Sequence, residues 1–157
     1  MAAITCRFVR PDKLLYEGTV KSLVLQTPTG ELGVWPGHAP EICALGDGVV
    51  RLHPVDPAEG EERRVVISGG YAEISGNVVI ILADHAREVN DIEPDVVRET
   101  REKAFDAKKG LDPDDHRRAY YDNKIKWCNL LLKTAGVTAE ATPQEKVQYV
   151  PSQYNSY

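Results

Sequence analysis

The sequence predicts an antiparallel β-sandwich followed by an α-helical hairpin, an α+β organisation in which the strands come first. Residues 3 to 84 contain many short aliphatic segments separated by turn residues, which is typical of a sandwich or barrel. After Asp84 the chain becomes charged and rich in good helix formers. A glycine at position 110 divides this second half into two helices joined by a short connection, which predicts a hairpin.

The first half has the two-residue period of strands. In "ITCRFV" the residues Ile4, Cys6 and Phe8 alternate with more exposed neighbours, so one face of this strand is expected to be buried. The segments "TVKSLVLQT", "GVVRLHPV", "RRVVIS" and "VVIILAD" are rich in β-branched residues. The pair Gly76-Asn77 predicts a two-residue hairpin turn, and "SGG" at 68–70 predicts a bend or bulge where two backbones approach closely.

The second half has helical signals. The segment "EPDVVRETREKAFDAKKG" has Pro94 in its first turn and ends at Gly110, although its apolar face is poor. A second helix of about six turns is expected to begin with Asp112 as its N-cap and to end at Gly136. Its apolar residues recur at spacings of three and four, which predicts one buried stripe: Tyr121, Ile125, Cys128, Leu132 and Ala135.

These patterns predict three parts of the chain. Residues 1–88 form the sandwich domain, residues 89–137 form the two-helix hairpin, and residues 138–157 form a flexible tail without any hydrophobic period. In the first helix only Val97 and Ala104 lie in register on an apolar face. The hairpin therefore needs packing on the sandwich or on another protein for most of its stability.

Composition restricts the class of protein. The formal net charge is −5 at pH 7, which argues against nucleic acid as a partner because phosphate binding needs a basic face. No apolar run approaches the ~20 residues that span a bilayer, and the N-terminus lacks the build of a signal peptide, so a cytoplasmic protein is expected. Three widely spaced cysteines predict neither a disulfide framework nor a close-set zinc motif.

The stretch "GELGVWPGHAPEICALGDGVV", residues 30–50, contains five glycines, two prolines and a single histidine. A metal site would need ligands such as His53, His85 or Cys43 beside His38, and none stands at a ligand spacing. A catalytic Ser68 lacks the G-x-S-x-G context.

Two interpretations of this stretch remain. It can be a sheet corner in which Trp35 caps the core and His38 bonds its backbone neighbours. It can also be a rigid docking surface, on which little entropy is lost when a partner binds.

Two long motifs resemble one family. "GELGVWPGHAPEICALGDGVVRL" and "VVISGGYAEISGNVVIILAD", together with the opening "FVRPDKLLYEGTVKSLVLQTPTGELG", are similar to the signatures of the epsilon subunit of bacterial and chloroplast F-type ATP synthases. The resemblance covers residues 4 to 90 in sequence and residues 91 to 136 in architecture. Sandwich followed by helical hairpin is also the layout of that family.

The resemblance implies a non-catalytic rotor subunit with no active site and no cofactor. It implies that the sandwich binds the gamma subunit and the ring of c subunits, with Glu31, Gly33 and His38 as contact residues. It also implies that the hairpin can extend toward the catalytic alpha and beta subunits and inhibit ATP hydrolysis. The location implied is the cytoplasmic face of a bacterial plasma membrane, with membrane association only through the complex.

The cations expected on the inhibitory helix face are Arg117, Arg118, Lys124 and Lys126. Two rival functions stay open. The first is a stand-alone β-sandwich binding module, which would not co-purify with gamma, and the second is a small metal-dependent hydrolase, which would contain bound metal.

The sequence departs from the family at two places. Some bacterial members bind ATP through an "IDxxRA"-like motif, where this chain has "IEPDVV" with Glu93 in place of the aspartate and Val96 and Val97 in place of arginine and alanine. The loss of a fixed cation removes the natural partner for a nucleotide phosphate, so no ATP site is predicted. The second helix ends with "WCNLLL" in place of an alanine- and arginine-rich face.

Overall fold

The computed structural model describes residues 2–136, so the predicted flexible tail, residues 138–157, lies outside the described residues. Backbone contacts divide the chain into two units, with the boundary between Ile92 and Glu93. The first unit contains all the described strands, and the second contains both α-helices. The observed fold class, a β-sandwich with a helical pair after it, agrees with the prediction from the sequence.

Seven strands form the first unit. They are β1 (Ile4–Arg10), β2 (Lys13–Thr27), β3 (Gly30–Val34), β4 (Glu41–Ala44), β5 (Asp47–Pro54), β6 (Arg63–Ser75) and β7 (Val78–Glu88). Short 3-10 helices follow β5 at Pro57–Glu59 and β7 at Val89–Asp91. The strand order is β1-β7-β6-β5-β2-β3, β4 pairs with β6, and an additional β1–β2 pairing closes the sheet on itself.

One strand pair differs from the antiparallel sandwich that the sequence predicts. β1 runs antiparallel to β2 but parallel to β7, with Cys6 opposite Val79 and Phe8 opposite Ile81. The closed ring consists of β1, β7, β6, β5 and β2, which is an odd number of strands. Because directions cannot alternate all the way round such a ring, at least one parallel pair is required.

The core lies inside this closed sheet. Ile4, Cys6 and Phe8 have at most 1% of their surface exposed, which confirms the predicted alternation in β1. The neighbouring strands add Leu23 and Leu25 from β2 and further aliphatic residues from β5, β6 and β7. Burial raises the pKa of the Cys6 thiol to about 12, so this cysteine behaves as a small apolar core residue.

The glycine pair in β6 confirms the predicted close approach of backbones. Gly69 has φ +72 and Gly70 has φ +110, values that disfavour other residues. A Cβ atom on Gly70 would lie 2.0 Å from the carbonyl oxygen of Leu82. β6 pairs with β5 before this point, through Ser68, and with β4 after it, from Tyr71 onward. The glycines therefore mark the place where β6 changes partner.

The turn between β6 and β7 is also as predicted. Ser75 pairs with Val78, and the two-residue connection has Gly76 at φ +60. Within the described residues every positive φ belongs to a glycine, so Asn77 has an ordinary negative φ. The β6–β7 turn therefore needs a glycine only at its first position.

The second unit contains α1 (Pro94–Lys109) and α2 (Arg117–Thr134). α1 ends before Gly110 as predicted, but Gly110 has φ −79, so this helix end does not require glycine. At the end of α2 the prediction is confirmed, because Gly136 has φ +70 and its N–H donates to the carbonyl of Lys133 at 3.1 Å.

The predicted start of α2 is wrong. The helix begins at Arg117 rather than after Asp112, and its 18 residues correspond to ~5 turns. Asp115 does the capping instead, because its carboxylate accepts from the backbone N–H of Arg117 at 2.9 Å. The side chain of Arg117 bonds the same carboxylate and lowers the pKa of Asp115 to about 2. The Asp112 carbonyl accepts only a turn bond from the Asp115 N–H.

The two helices are antiparallel. Contacts beside the connection between them join residues that are close in sequence, and contacts farther from the connection join residues that are farther apart in sequence. The Lys108 ammonium lies 2.6 Å from the Asp122 carboxylate. The Arg118 guanidinium donates to the carbonyls of Lys108 and Leu111, both at 3.2 Å, and so fixes the end of α1. Farther along, the Arg101 guanidinium donates to the Asn129 side-chain oxygen at 2.7 Å.

The buried face of α1 is as poor in apolar residues as the sequence predicts. Its buried residues are Val97, Arg101 and Ala104. The arginine is not expected from the sequence, although its spacing places it between the other two. On α2 the predicted stripe is buried at its centre, and one additional leucine joins it, so that the buried residues are Ile125, Cys128, Leu131 and Leu132.

We expect Gly70→Ala to unfold the sandwich much more easily than Gly60→Ala. Both glycines have positive φ, a conformation that costs other residues ~1–3 kcal/mol. An added Cβ atom would enter open space at Gly60, whereas at Gly70 it would face a backbone carbonyl that cannot move without separating β6 from β7. In urea unfolding, the free energy of unfolding should therefore fall by about 1–3 kcal/mol in G60A and by at least about 4 kcal/mol in G70A. Equal losses would contradict the close approach.

Candidate docking site

The stretch of residues 30–50 is not one loop, because it contains β3, β4 and the start of β5. β3 pairs with the end of β2, with Glu31 opposite Gln26 and Gly33 opposite Val24. β4 pairs with β6, with Ile42 opposite Glu73. Only residues 35–40 and 45–46 lie outside strands. The predicted sheet corner is thus made of two short strands and their connection, here called the β3–β4 segment (residues 30–44).

Glu31 lies on the outer surface of the sheet in a two-point ion pair. The Arg51 guanidinium donates to both of its carboxylate oxygens, at 3.2 and 3.3 Å, and Gln26 donates to one of them at 3.3 Å. Half of the Glu31 side chain remains exposed. Water screens such a pair, which is expected to contribute no more than ~1 kcal/mol. The pair holds the carboxylate in one orientation while leaving it accessible.

Gly33 lies directly beneath the aromatic ring that follows it. A Cβ atom on Gly33 would lie 2.3 Å from the six-membered ring of Trp35, so the indole rests directly on the glycine backbone. Trp35 is nevertheless 60% exposed. The expectation that Trp35 caps the core is therefore wrong, since the buried residue at this end is its neighbour Val34.

His38 lies in the turn that leaves β3. Its backbone N–H donates to the carbonyl of Trp35 at 3.1 Å, and its Nδ1 donates to the carbonyl of Ala39 at 2.7 Å. Its Nε2 lies 3.8 Å from the Glu41 carboxylate. The expected bond to a backbone neighbour is thus present, and it fixes the ring with Nε2 directed toward Glu41.

β4 presents an apolar side chain to solvent. Ile42 is 73% exposed, while Cys43, the next residue, packs against the core. Burial, with a smaller contribution from the Glu41 charge, raises the pKa of the Cys43 thiol. Tyr71 on β6, opposite Ala44, is half exposed. Ile42 and Tyr71 thus lie on neighbouring strands, and exposed isoleucine and aromatic side chains are typical of a protein-binding surface.

The connection between β4 and β5 is tied to the rest of the sheet on both sides. The Leu45 N–H donates to the carbonyl of Gly70, and the Gly46 N–H donates to the carbonyl of Gln26, both at 2.9 Å. A Cβ on Gly46 would lie 2.8 Å from the Thr27 carbonyl oxygen. The β3–β4 segment is therefore fixed at its far end by backbone bonds to β2 and β6.

The residues considered for metal binding or catalysis lie in separate hydrogen-bond networks. His53 bridges the Ser22 hydroxyl and the Glu62 carboxylate, both at 3.0 Å. Ser68 donates to Asp47 at 2.6 Å. Residues 2–136 contain no cluster of three or more His, Cys, Asp or Glu that could hold a metal ion. Over the same residues, no helix is long and apolar enough to cross a membrane.

The four cations expected on the inhibitory helix do not share a face. Successive residues of an α-helix are about 100° apart, so Lys124 and Lys126 point in nearly opposite directions. Arg117 is paired with Asp115, and Arg118 holds the end of α1. Lys124 is exposed and lies over the ring of Tyr120, which is itself 61% exposed.

Sequence reasoning missed Trp35, Ile42 and Tyr71 as exposed apolar residues. The alternation of Ile42 with Cys43 and of Tyr71 with Ala72 is a strand signal, and it places one apolar residue of each pair outside.

Comparison with known proteins identifies relatives for most of the chain. Residues 3–89 match the family model described as "ATP synthase, Delta/Epsilon chain, beta-sandwich domain". An ATP synthase epsilon chain of Synechococcus elongatus is 31% identical over 115 residues, which are 73% of this chain and 81% of that relative. One of Psychrobacter cryohalolentis is 36% identical over 104 residues, which are 66% and 73% of the two chains.

Two solved structures share the fold. One is a chain of the Euglena gracilis mitochondrial ATP synthase, in an assembly described as OSCP/F1/c-ring, with a TM-score of 0.58 and 21% identity; the match covers 95% of this chain and 83% of that chain. The other is from the central stalk and c ring of the Tetrahymena thermophila mitochondrial ATP synthase, with a TM-score of 0.59 and 14% identity; the match covers 84% and 96%.

Proposed function

Because this chain belongs to the delta/epsilon family of ATP synthase subunits, we propose that its sandwich joins the gamma subunit to the ring of c subunits. The family match over residues 3–89 is the observation that carries this proposal. The chain is a non-catalytic subunit of the central stalk, the epsilon subunit, and it has no active site of its own. A stand-alone binding module unrelated to ATP synthase is not favoured by these relatives.

The β3–β4 segment is the surface that we assign to these partners. It exposes Trp35 and Ile42, two of the most exposed large apolar side chains in the described residues. Its backbone is fixed by strand pairing with β2 and β6. A preorganised surface loses little conformational entropy on binding, so more of the contact energy is available as affinity.

The polar residues of the segment supply direction. Glu31 is held in place by Arg51, and His38 by the Ala39 carbonyl, so each presents a defined group beside the apolar residues. Charged groups at the rim of an interface favour correct orientation and rapid association more than affinity. In this proposal Glu31, Gly33 and His38 are contact residues for gamma and the c ring, with Gly33 allowing the indole of Trp35 to lie flat.

Coupling tests this assignment. We expect Glu31→Ala and His38→Ala to lower the ion gradient formed per ATP hydrolysed in reconstituted vesicles. Glu61→Ala, which removes an exposed glutamate from the β5–β6 connection, is the matched control and should leave coupling unchanged. The melting temperatures of all three variants should stay within a few degrees of the parent, since surface changes usually cost less than ~0.5 kcal/mol. Normal coupling in E31A and H38A would contradict the assignment of both residues as partner contacts and would leave them a structural role only.

We further propose that the hairpin inhibits ATP hydrolysis through the alpha and beta subunits. The exposed pair Tyr120 and Lys124 supports this, because an aromatic ring with a cation beside it suits an acidic protein surface. Lys126 points away from Lys124, and Arg117, two turns earlier on the same side, is paired with Asp115, so we assign the contact with the catalytic subunits to Lys124. Arg118 serves the hairpin itself.

Deleting residues 93–157 should raise ATP hydrolysis by the assembled enzyme without reducing assembly. The boundary at Ile92 leaves the whole strand unit intact. The measurement compares the hydrolysis rates of purified complexes with equal amounts of this subunit, and Lys124→Glu in the full chain should raise the rate in the same direction. An unchanged rate in both complexes would mean that the hairpin does not inhibit here.

Nucleotide binding by α1 is not part of the proposal. At the position of the family's arginine lies Val96, which is half exposed, and the nearest arginine in sequence, Arg98, pairs with Asp95 at 2.9 Å.

We place the complex on the cytoplasmic face of a bacterial plasma membrane. The support for this location is that the relatives compared above at more than 30% identity are bacterial.

A further inference from the structure

Two polar pairs connect α1 and α2, and both fit a single alignment of the two helices. Arg101 on α1 meets Asn129 on α2, and Lys108 meets Asp122. The two partners on α1 lie seven positions apart in the sequence, and so do the two on α2. The pairs therefore describe one antiparallel alignment, in which Ala104 and Ile125 lie at the level between them.

Arg101 occupies the centre of the buried face of α1. It is only 5% exposed, and its buried neighbours on the same face are Val97 and Ala104. Burying a guanidinium is costly unless its hydrogen bonds are satisfied, and a leucine at such a position is often as stable or more stable. A buried charge at this position is therefore not explained by stability alone.

The apolar residues of α2 do not select one alignment. Its buried residues include Ile125, Cys128 and Leu132, which recur every three or four positions, and the fully buried apolar residues of α1 are only Val97 and Ala104. A shift of one helical turn would still bring apolar residues to the same level, such as Tyr121 or Cys128 in place of Ile125. The methyl groups of Val97 and Ala104 are too small to distinguish these alternatives by shape.

The polar residues do select one alignment. A shift of one turn, four residues, would bring Arg101 level with Ile125 or Lys133, so that its side chain would face an apolar residue or a like charge in place of the Asn129 oxygen. The same shift would bring Lys108 level with Arg118 or Lys126, which carry like charges. Asp122 is thus flanked, one turn away on each side, by cations that repel Lys108.

We propose that Arg101–Asn129 and Lys108–Asp122 specify the register of the hairpin, so that its helices pair in one alignment or not at all. Apolar contacts supply the attraction between the helices, and the polar residues exclude the slipped alignments. A single buried polar residue fixes register in coiled coils by the same physics. This inference goes beyond the inhibitory role proposed above and does not depend on it.

The test uses the full-length chain and NMR. In the parent we expect one set of amide resonances for residues 94–134 and a nuclear Overhauser effect between the methyl groups of Ala104 and Ile125. In R101L/N129L the helical hairpin should remain folded, but its amide resonances should double or broaden. New nuclear Overhauser effects should appear between Ala104 and Tyr121 or Cys128. The control K103L/N123L places leucines at exposed positions of the same helices and should keep a single set.

Two further variants sharpen the outcome. N129D keeps an acceptor for Arg101 and should retain the single alignment, whereas K108D should populate slipped alignments, because an aspartate there repels Asp122 and attracts Arg118 and Lys126. A single resonance set with the parental Ala104–Ile125 effect in both R101L/N129L and K108D would overturn the proposal. An unfolded hairpin in R101L/N129L would also overturn it, since the pair would then act through stability.

Discussion

The approach of Gly70 to the carbonyl of Leu82 is the constraint on which the arrangement of the sandwich depends. Only a residue without a side chain allows β6 and β7 to remain paired through this point. Here β6 leaves β5 and takes β4 as its neighbour, and the Gly70 carbonyl accepts the N–H of Leu45 immediately after β4. The glycine thus marks the point from which β4, with the exposed Ile42 on it, pairs with β6.

Pairing with long strands explains how a glycine-rich stretch forms a rigid surface. Each end of the β3–β4 segment is paired with a long strand, β2 at one end and β6 at the other. The glycines inside it permit particular contacts, such as the indole of Trp35 resting on Gly33. Rigidity here comes from strand pairing and close contact, and the resulting surface suits a non-catalytic subunit of the central stalk.

Local patterns in the sequence are sufficient to predict much of the fold. The alternation of Ile4, Cys6 and Phe8, the hairpin at Gly76-Asn77 and the close approach at "SGG" depend on neighbouring residues or on glycine geometry, and all three are present. The weak apolar face of α1 is also visible in the sequence. Such features need no knowledge of what lies across the sheet.

What the sequence does not reveal depends on contacts between distant residues. The parallel β1–β7 pair follows from closing a ring of five strands, which no local pattern encodes. The exposure of Trp35 depends on Val34 filling the core instead, and the helix start at Arg117 depends on Asp115 capping where Asp112 is the expected cap. The buried Arg101 donates to an asparagine 28 residues away, which no local pattern encodes.

The central claim is that the β3–β4 segment is the surface by which this chain binds the gamma subunit and the c ring. Hydrogen–deuterium exchange of the isolated chain and of its complex with the gamma subunit tests this most directly. We expect the amides of residues 30–44 to exchange more slowly in the complex, and those of residues 55–62 in the β5–β6 connection to exchange at the same rate in both. A stable complex in which exchange across residues 30–44 is unchanged would contradict it.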